Sequence, residues 1–173
     1  MDAINNYNET ELQQFDGVLR YSKLSRIIDT CESSIINNIT TLYLKRYLTP
    51  KYNINANYTL NLLNPIYYSG AAEDIVKSSG FYINGDTKVH YLVDDGLGNM
   101  MLYYVDGTGT RYVVNPSVGT VDYTKGIVTI VNLNISALVD NYFVLYIKPS
   151  SNDVVSTLNQ IVQISMDELV INV

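Results

Sequence analysis

The sequence predicts a mainly-β chain (α+β): an antiparallel β-sandwich or rolled sheet with one or two short N-terminal helices. Three observations point there. From Phe81 onward, short apolar or alternating runs are separated by turn signals at regular intervals, the pattern of an antiparallel meander. Sixteen tyrosines and no tryptophan in 173 residues favour half-buried strands, where a large ring carries a polar tip. Only the first segment departs from this, with Leu24, Ile27, Ile28 and Cys31 spaced as a helical stripe.

The expected domain is single, 1–173, divided into a polar lead-in (1–8), a helical element (9–33) and a β-rich body (39–173). Glu9 to Phe15 is expected to form a short helical turn, with Leu12 and Phe15 on one face and Gly17 as its stop. A second helix begins with Ser22 as N-cap, turns Lys23, Arg26 and Asp29 away from its apolar stripe, and ends near Ser33. Cys31 is expected to be a small buried side chain of that helix.

The period then changes. Ile39 to Leu48 alternates, with Leu42, Leu44 and Arg46 on one side and Tyr43, Lys45 and Tyr47 on the other, and stops at Pro50. Lys51 to Asn57 is a connector, and Tyr58 to Leu63 a strand halted by Asn64-Pro65. Further strands are expected at Phe81–Ile83, Val89–Val93, Met100–Val105, Arg111–Val114, Thr120–Tyr123, Ile127–Val131, Tyr142–Ile147 and Gln160–Ser165, with an extended tail over Leu169–Val173. Asn84-Gly85, Asp94 to Asn99, Asp106 to Gly109 and Thr124-Lys125-Gly126 supply the turns. The clearest hairpin is GTVDYTKGIVTI (Gly119 to Ile130), where Gly126 provides the positive φ a tight turn demands.

Composition narrows the function. With 47% hydrophobic and 16% charged residues the chain can bury a core, and few charges remain for its surface. A net charge of −6 without a Lys/Arg cluster argues against nucleic-acid backbone binding. No apolar run reaches membrane-span length, and the acidic, Asn-rich N-terminus does not read as a signal peptide. One cysteine excludes an internal disulfide framework. The sequons at Asn8, Asn38, Asn57 and Asn134 are explained by chance in so Asn-rich a chain.

Little catalytic chemistry is available. The Gly-rich stretches Asp94–Asn99 and Asp106–Thr110 precede strands, so they read as hairpin turns and not as phosphate cradles. Their aspartates lack the spacing of a calcium loop and are expected to bond their own backbone. His90, the single histidine, is expected on a sheet face, with no nucleophile elbow in the chain to serve. A hydrolase would require carboxylates to meet His90 in a pocket. Tyr67-Tyr68 follow Pro65 in a loop. Tyr103-Tyr104 lie mid-strand with one ring on each side of the sheet, either as core and surface packing or as contact face.

Two stretches carry a family resemblance. The helix segment SKLSRIID (Ser22 to Asp29) leading into a strand by Leu44, and VDYTKG within the Gly119–Ile130 hairpin, resemble the C-terminal part of the large baseplate wedge subunit of T4-like contractile-tailed phages, a relative of the baseplate J-like proteins. The resemblance spans roughly Phe15 to Ile164. The family subunit is several times longer, which implies a C-terminal domain of a longer protein, with Met1 as the start of that piece. It also implies a non-enzymatic structural role in the virion tail baseplate, assembled in the host cytoplasm. Family subunits pair with themselves and with another wedge protein, close into a ring around the hub, and rearrange when the sheath contracts.

The expectation is therefore a self-associating structural subunit, a homodimer or ring, with other wedge proteins as partners and no cofactor, nucleic acid or membrane. Its contact residues are expected at Tyr67, Tyr68, Tyr103 and Tyr104, with a second face at Lys23 and Arg26. The rival is a ligand-binding β-module recognising carbohydrate or a host surface, marked by a concave aromatic site with calcium held among Asp94, Asp95 and Asp106.

Overall fold

Residues 1–15, 17–68, 70, 74–155 and 161–170 are described by a computed structural model. The chain divides into two compact units: unit 1, Met1–Thr41 with Ser151–Val173, and unit 2, Leu42–Ser150. This division groups the C-terminal residues with the helical segment, whereas the sequence suggested one β body from 39 to 173.

In unit 1 the expected polar lead-in is instead a helix. Residues Asp2–Tyr7 form α1, which widens into a π-helical turn over Asn8–Leu12. Ile4, Tyr7 and Leu12 are buried, so three apolar residues among many asparagines are enough to anchor it. Phe15, expected beside Leu12, is exposed. The pair Val18–Leu19 (β1) precedes α2 at Tyr21–Thr30. The helix thus starts one residue before Ser22, with Arg20 at the N-cap position and no side-chain cap. The Tyr21 N–H donates to the Asp153 carboxylate at 2.8 Å, which satisfies one of the amides that a helix N-terminus leaves without an intrahelical partner. Leu24 is buried, while Cys31 falls just past the helix and is exposed. A thiol-specific reagent should therefore modify one equivalent of Cys31 in the native chain, without denaturant. Protection until unfolding would contradict this position.

Asn8 is buried and clamps the C-terminal segment: its side chain accepts from the Ile164 N–H at 2.8 Å and donates to the Ile164 carbonyl at 3.3 Å. Of the strand expected at Gln160–Ser165, residues 161–165 form no strand and Gln160 lies outside the described residues. Met166–Glu168 form a 3-10 turn, and the tail expected over Leu169–Val173 is described only at Leu169 and Val170.

Unit 2 is an antiparallel sheet. In chain order its strands are β2 (Leu44–Leu48), β3 (Ala56–Asn61), β4 (Val76–Ser78), β5 (Phe81–Ile83), β6 (His90–Asp94), β7 (Asn99–Val105), β8 (Arg111–Asp122), β9 (Ile127–Leu133), β10 (Ile135–Leu138) and β11 (Phe143–Ile147). They lie in the order β2-β11-β4-β6-β7-β8-β9-β3, with β5 joining β10 to β6. Unit 1 adds the short pairing of β1 with β12 (Val154–Val155). The mainly-β, antiparallel expectation holds.

One sheet face makes the core. Leu92, Met100, Leu102, Val121, Val128, Ile130, Leu145 and Ile147 are buried there, with Phe81 edge-on to Phe143 at 5.4 Å. The alternation read in β2 is present: Leu44, Arg46 and Leu48 pair with Ile147, Leu145 and Phe143, while Lys45 and Tyr47 face the other way.

Strands expected separately at Arg111–Val114 and Thr120–Tyr123 form the single twelve-residue β8, which runs through Pro116. Proline is tolerated because pairing with β9 begins only at Gly119, and the β7 register shifts beside it. The next N–H, of Ser117, goes to the Asn115 side chain at 3.0 Å. Ile39, expected to start the first strand, is exposed and lies outside any strand. Strands β4 and β10, of three and four residues, were not among those expected from the sequence.

Candidate interaction surfaces

The turns that position the surface strands are built by their own aspartates. The Asp95 carboxylate accepts from the N–H groups of Leu97 and Asn99 and from the Asn99 side chain. Asp106 accepts from the Thr108 hydroxyl and from the N–H groups of Thr110 and Thr108, which together hold its carboxyl below the usual range. Asp94 is buried, accepting from the Val76 N–H at 2.8 Å and the Tyr123 hydroxyl at 2.7 Å. Burial raises the pKa of the Asp94 carboxyl despite these bonds. The three carboxylates assigned to calcium in the rival reading thus serve separate local networks. Among the described residues, no three His, Cys, Asp or Glu side chains are grouped to hold a metal ion.

His90 is enclosed, not on an open sheet face. Its Nδ1 lies 2.8 Å from the Lys88 carbonyl, so this nitrogen carries the proton. Its Nε2 stands 3.6 Å from the Asp86 carboxylate, beyond hydrogen-bond distance. A carboxylate does meet the histidine, but a ring with no exposed surface has no path to a substrate.

Tyr103 and Tyr104 point to opposite sheet faces, as expected. Tyr103 is only 9% exposed. It stacks on Tyr91 with centroids 5.6 Å apart, and the Arg111 guanidinium lies 4.3 Å from its ring. That guanidinium is held by Asp74 in two bonds of 2.9 and 3.1 Å. On the other face Tyr104 stacks on Tyr112 at 5.3 Å, with the Lys88 ammonium 4.0 Å away and His90 edge-on.

The remaining candidates lie elsewhere. Tyr67 is half-buried under the Lys148 ammonium, whereas Tyr68 is exposed and packs against Tyr123 at 5.0 Å. In unit 1, Lys23 pairs with Glu11 and lies over the Tyr7 ring, while Arg26 is exposed. The six residues therefore belong to separate clusters.

A further tyrosine face was not foreseen. On the non-core side of β2 and β11, Tyr47 sits directly opposite Val144, and Tyr146 lies between Lys45 and Lys77. Tyr142 meets Tyr47 edge-on at 5.3 Å, Lys45 lies over Tyr47, and Lys77 lies 5.0 Å over Tyr43. Tyr43, Tyr47 and Tyr142 are all exposed. The sequence placed Tyr43, Lys45 and Tyr47 together, but the strand that brings Tyr142 beside them belongs to a distant part of the chain. A separate shallow cleft of about 440 Å³ is lined by residues including Tyr52, Asn53, Asp140 and Asn141.

Comparison with known proteins adds one match. A family model described as baseplate structural protein gp6, C-terminal domain III, matches residues 1–47. The match contains the SKLSRIID segment and ends within β2, leaving the Gly119–Ile130 hairpin outside it. It supports a phage baseplate domain with a structural, non-enzymatic role. Neither the curated proteins nor the solved structures yield a match.

Proposed function

We propose that this chain is a self-associating structural subunit of a phage tail baseplate, docking with other wedge proteins in the ring around the hub and shifting with it when the sheath contracts. The observation that carries the proposal is the gp6 C-terminal domain III match over residues 1–47. Chemistry agrees with it. Two titratable groups in enclosed environments, Asp94 and His90, are locked into packing, while exposed tyrosines are spread over the sheet. Exposed tyrosine suits a contact surface because it offers large area at low conformational cost. The lysines that lie over these rings, Lys45 over Tyr47 and Lys77 over Tyr43, would be desolvated with them unless the partner supplies acceptors.

Light scattering over a concentration series, with and without calcium, tests the self-association. The expected result is a dimer or larger species that forms equally in both conditions. A monomer at every concentration would sink it, and association only with calcium would favour the ligand-binding module.

A further inference from the structure

The ribbon made by β5 and β10 joins the rest of the unit 2 sheet at a narrow place. Strand β5 pairs with β10 over three residue pairs, from Ile83↔Ile135 to Phe81↔Leu138. Among the described residues its pairing with β6 is the single pair Phe81↔His90. The residue at that junction is the fully buried histidine.

Its ring is held but not satisfied. With the Nδ1–H on the Lys88 carbonyl, Nε2 is an acceptor, enclosed and without a hydrogen-bond partner. What faces it is another acceptor, the Asp86 Oδ2 at 3.6 Å. Two acceptors turned toward each other in an enclosed site are unfavourable, and a single proton between them converts the pair into a bond.

The turn before β6 holds the carboxylate ready. The Asp86 N–H closes the turn on the Ile83 carbonyl at 3.2 Å, with Gly85 at a φ of +87°. Asp86 Oδ1 accepts from the Lys88 N–H at 2.9 Å, which leaves Oδ2 for the ring. That N–H also holds the Asp86 carboxyl below its ordinary range, so the carboxylate is charged wherever an imidazole titrates.

The other groups around the ring weigh less. Phe81 from β5 and Tyr104 from β7 pack beside it, and Tyr112 from β8 stacks on Tyr104. The Lys88 ammonium, 4.0 Å over the Tyr104 ring, works against a second positive charge. Arg111 lies over Tyr103 on the opposite face and is held by Asp74. Asp94, further along β6, is bonded to Val76 and Tyr123.

We propose that His90 and Asp86 form an acid-strengthened latch, in which protonation at Nε2 makes a charge-assisted bond to Asp86 and clamps the β5–β10 ribbon to the main sheet. Closing the 3.6 Å gap by about 0.8 Å suffices. The bond needs both the folded chain and the added proton. Its contribution is therefore present at low pH and is lost as pH rises through the imidazole's range. The latch stands independently of the baseplate role.

Nuclear magnetic resonance of the isotope-labelled chain tests it between about pH 8 and 5. In the parent, Nε2 should gain a proton as pH falls while Nδ1 keeps its own. Amide exchange in β5 and β10, corrected for its intrinsic pH dependence, should then slow by about tenfold relative to β8 and β9. Asp86→Asn keeps an acceptor for the Lys88 N–H, and urea denaturation checks that it folds. In that variant the ring should take its proton at lower pH, and the β5–β10 amides should lose their pH response. Asp94 is common to both chains, so its own titration cancels. A ring that stays unprotonated at Nε2 across the range, or one that titrates identically in both chains, would overturn the latch. So would β5–β10 exchange that tracks β8 and β9 at every pH.

Discussion

Alanine at Gly126 is expected to destabilise unit 2 by roughly 3 kcal/mol or more. Two independent demands meet at this residue. Its φ is +68°, where a side chain is strained, and a Cβ would lie 1.9 Å from the Asn64 carbonyl oxygen. That oxygen cannot simply retreat. The Leu62 N–H donates to the Gly126 carbonyl at 2.9 Å, and the Gly126 N–H donates back across the turn to Asp122 at 2.8 Å. Leu63, between these contacts, is itself held at a φ of 60°, with its N–H on the Asn61 side chain. Gly85 supplies the control: its φ is +87°, but a Cβ added there would meet nothing within 4 Å. Gly85→Ala should therefore show only the conformational penalty, about 1–2 kcal/mol. Urea denaturation of both variants, compared at equal m-value, separates strain from collision. Equal losses would mean that Asn64 yields and that the close approach is not rigid.

The same glycine shows what could be read in the sequence and what could not. Thr124-Lys125-Gly126 between two β-branched arms announces a tight turn, because turn geometry is local. The Asn64 carbonyl that presses on the turn comes from much earlier in the chain and leaves no local trace. The sheet face of β2 divides in the same way. Its alternation of Tyr43, Lys45 and Tyr47 is legible, but its cross-strand neighbours Tyr142, Tyr146 and Lys77 are tertiary facts. Among the six residues first favoured as contacts, residue type pointed to tyrosine but could not separate the enclosed ring of Tyr103 from the exposed ring of Tyr68.

Other departures have equally specific causes. Helix α1 was hidden by asparagines, whose preference for turns outweighed the spacing of Ile4 and Tyr7. Two strands were expected where β8 is one, and the Pro116 inside it costs little because the strand has no β9 partner there. Cys31 was placed in the helical stripe by spacing, but α2 ends at Thr30, so the stripe stops before it reaches the cysteine.

Removal of the Asp94 carboxylate is the second large effect expected. In Asp94→Ala the buried Val76 N–H and the partly buried Tyr123 hydroxyl both lose their acceptor. Leaving two such donors unsatisfied costs about 3 kcal/mol at neutral pH, offset in part because a buried charge also disappears. Asp94→Asn keeps an acceptor for Val76 and should cost less, within about 1 kcal/mol. The two variants also differ from the parent in pH dependence. Burial holds the pKa of the Asp94 carboxyl above its ordinary value, so the folded state binds this proton more readily than the unfolded chain does. Its stabilising contribution is complete below the unfolded carboxyl pKa and is lost as pH rises through the raised folded value. The parent chain should therefore gain stability relative to Asp94→Asn as pH falls through that window. Tyr123 does not obscure the result: burial, and then the Asp94 carboxylate, push its phenol above its ordinary value and away from this range. Denaturation midpoints of parent and Asn variant that run parallel across the acid range would show that Asp94 keeps an ordinary carboxyl, and that its burial is compensated by the Val76 and Tyr123 bonds.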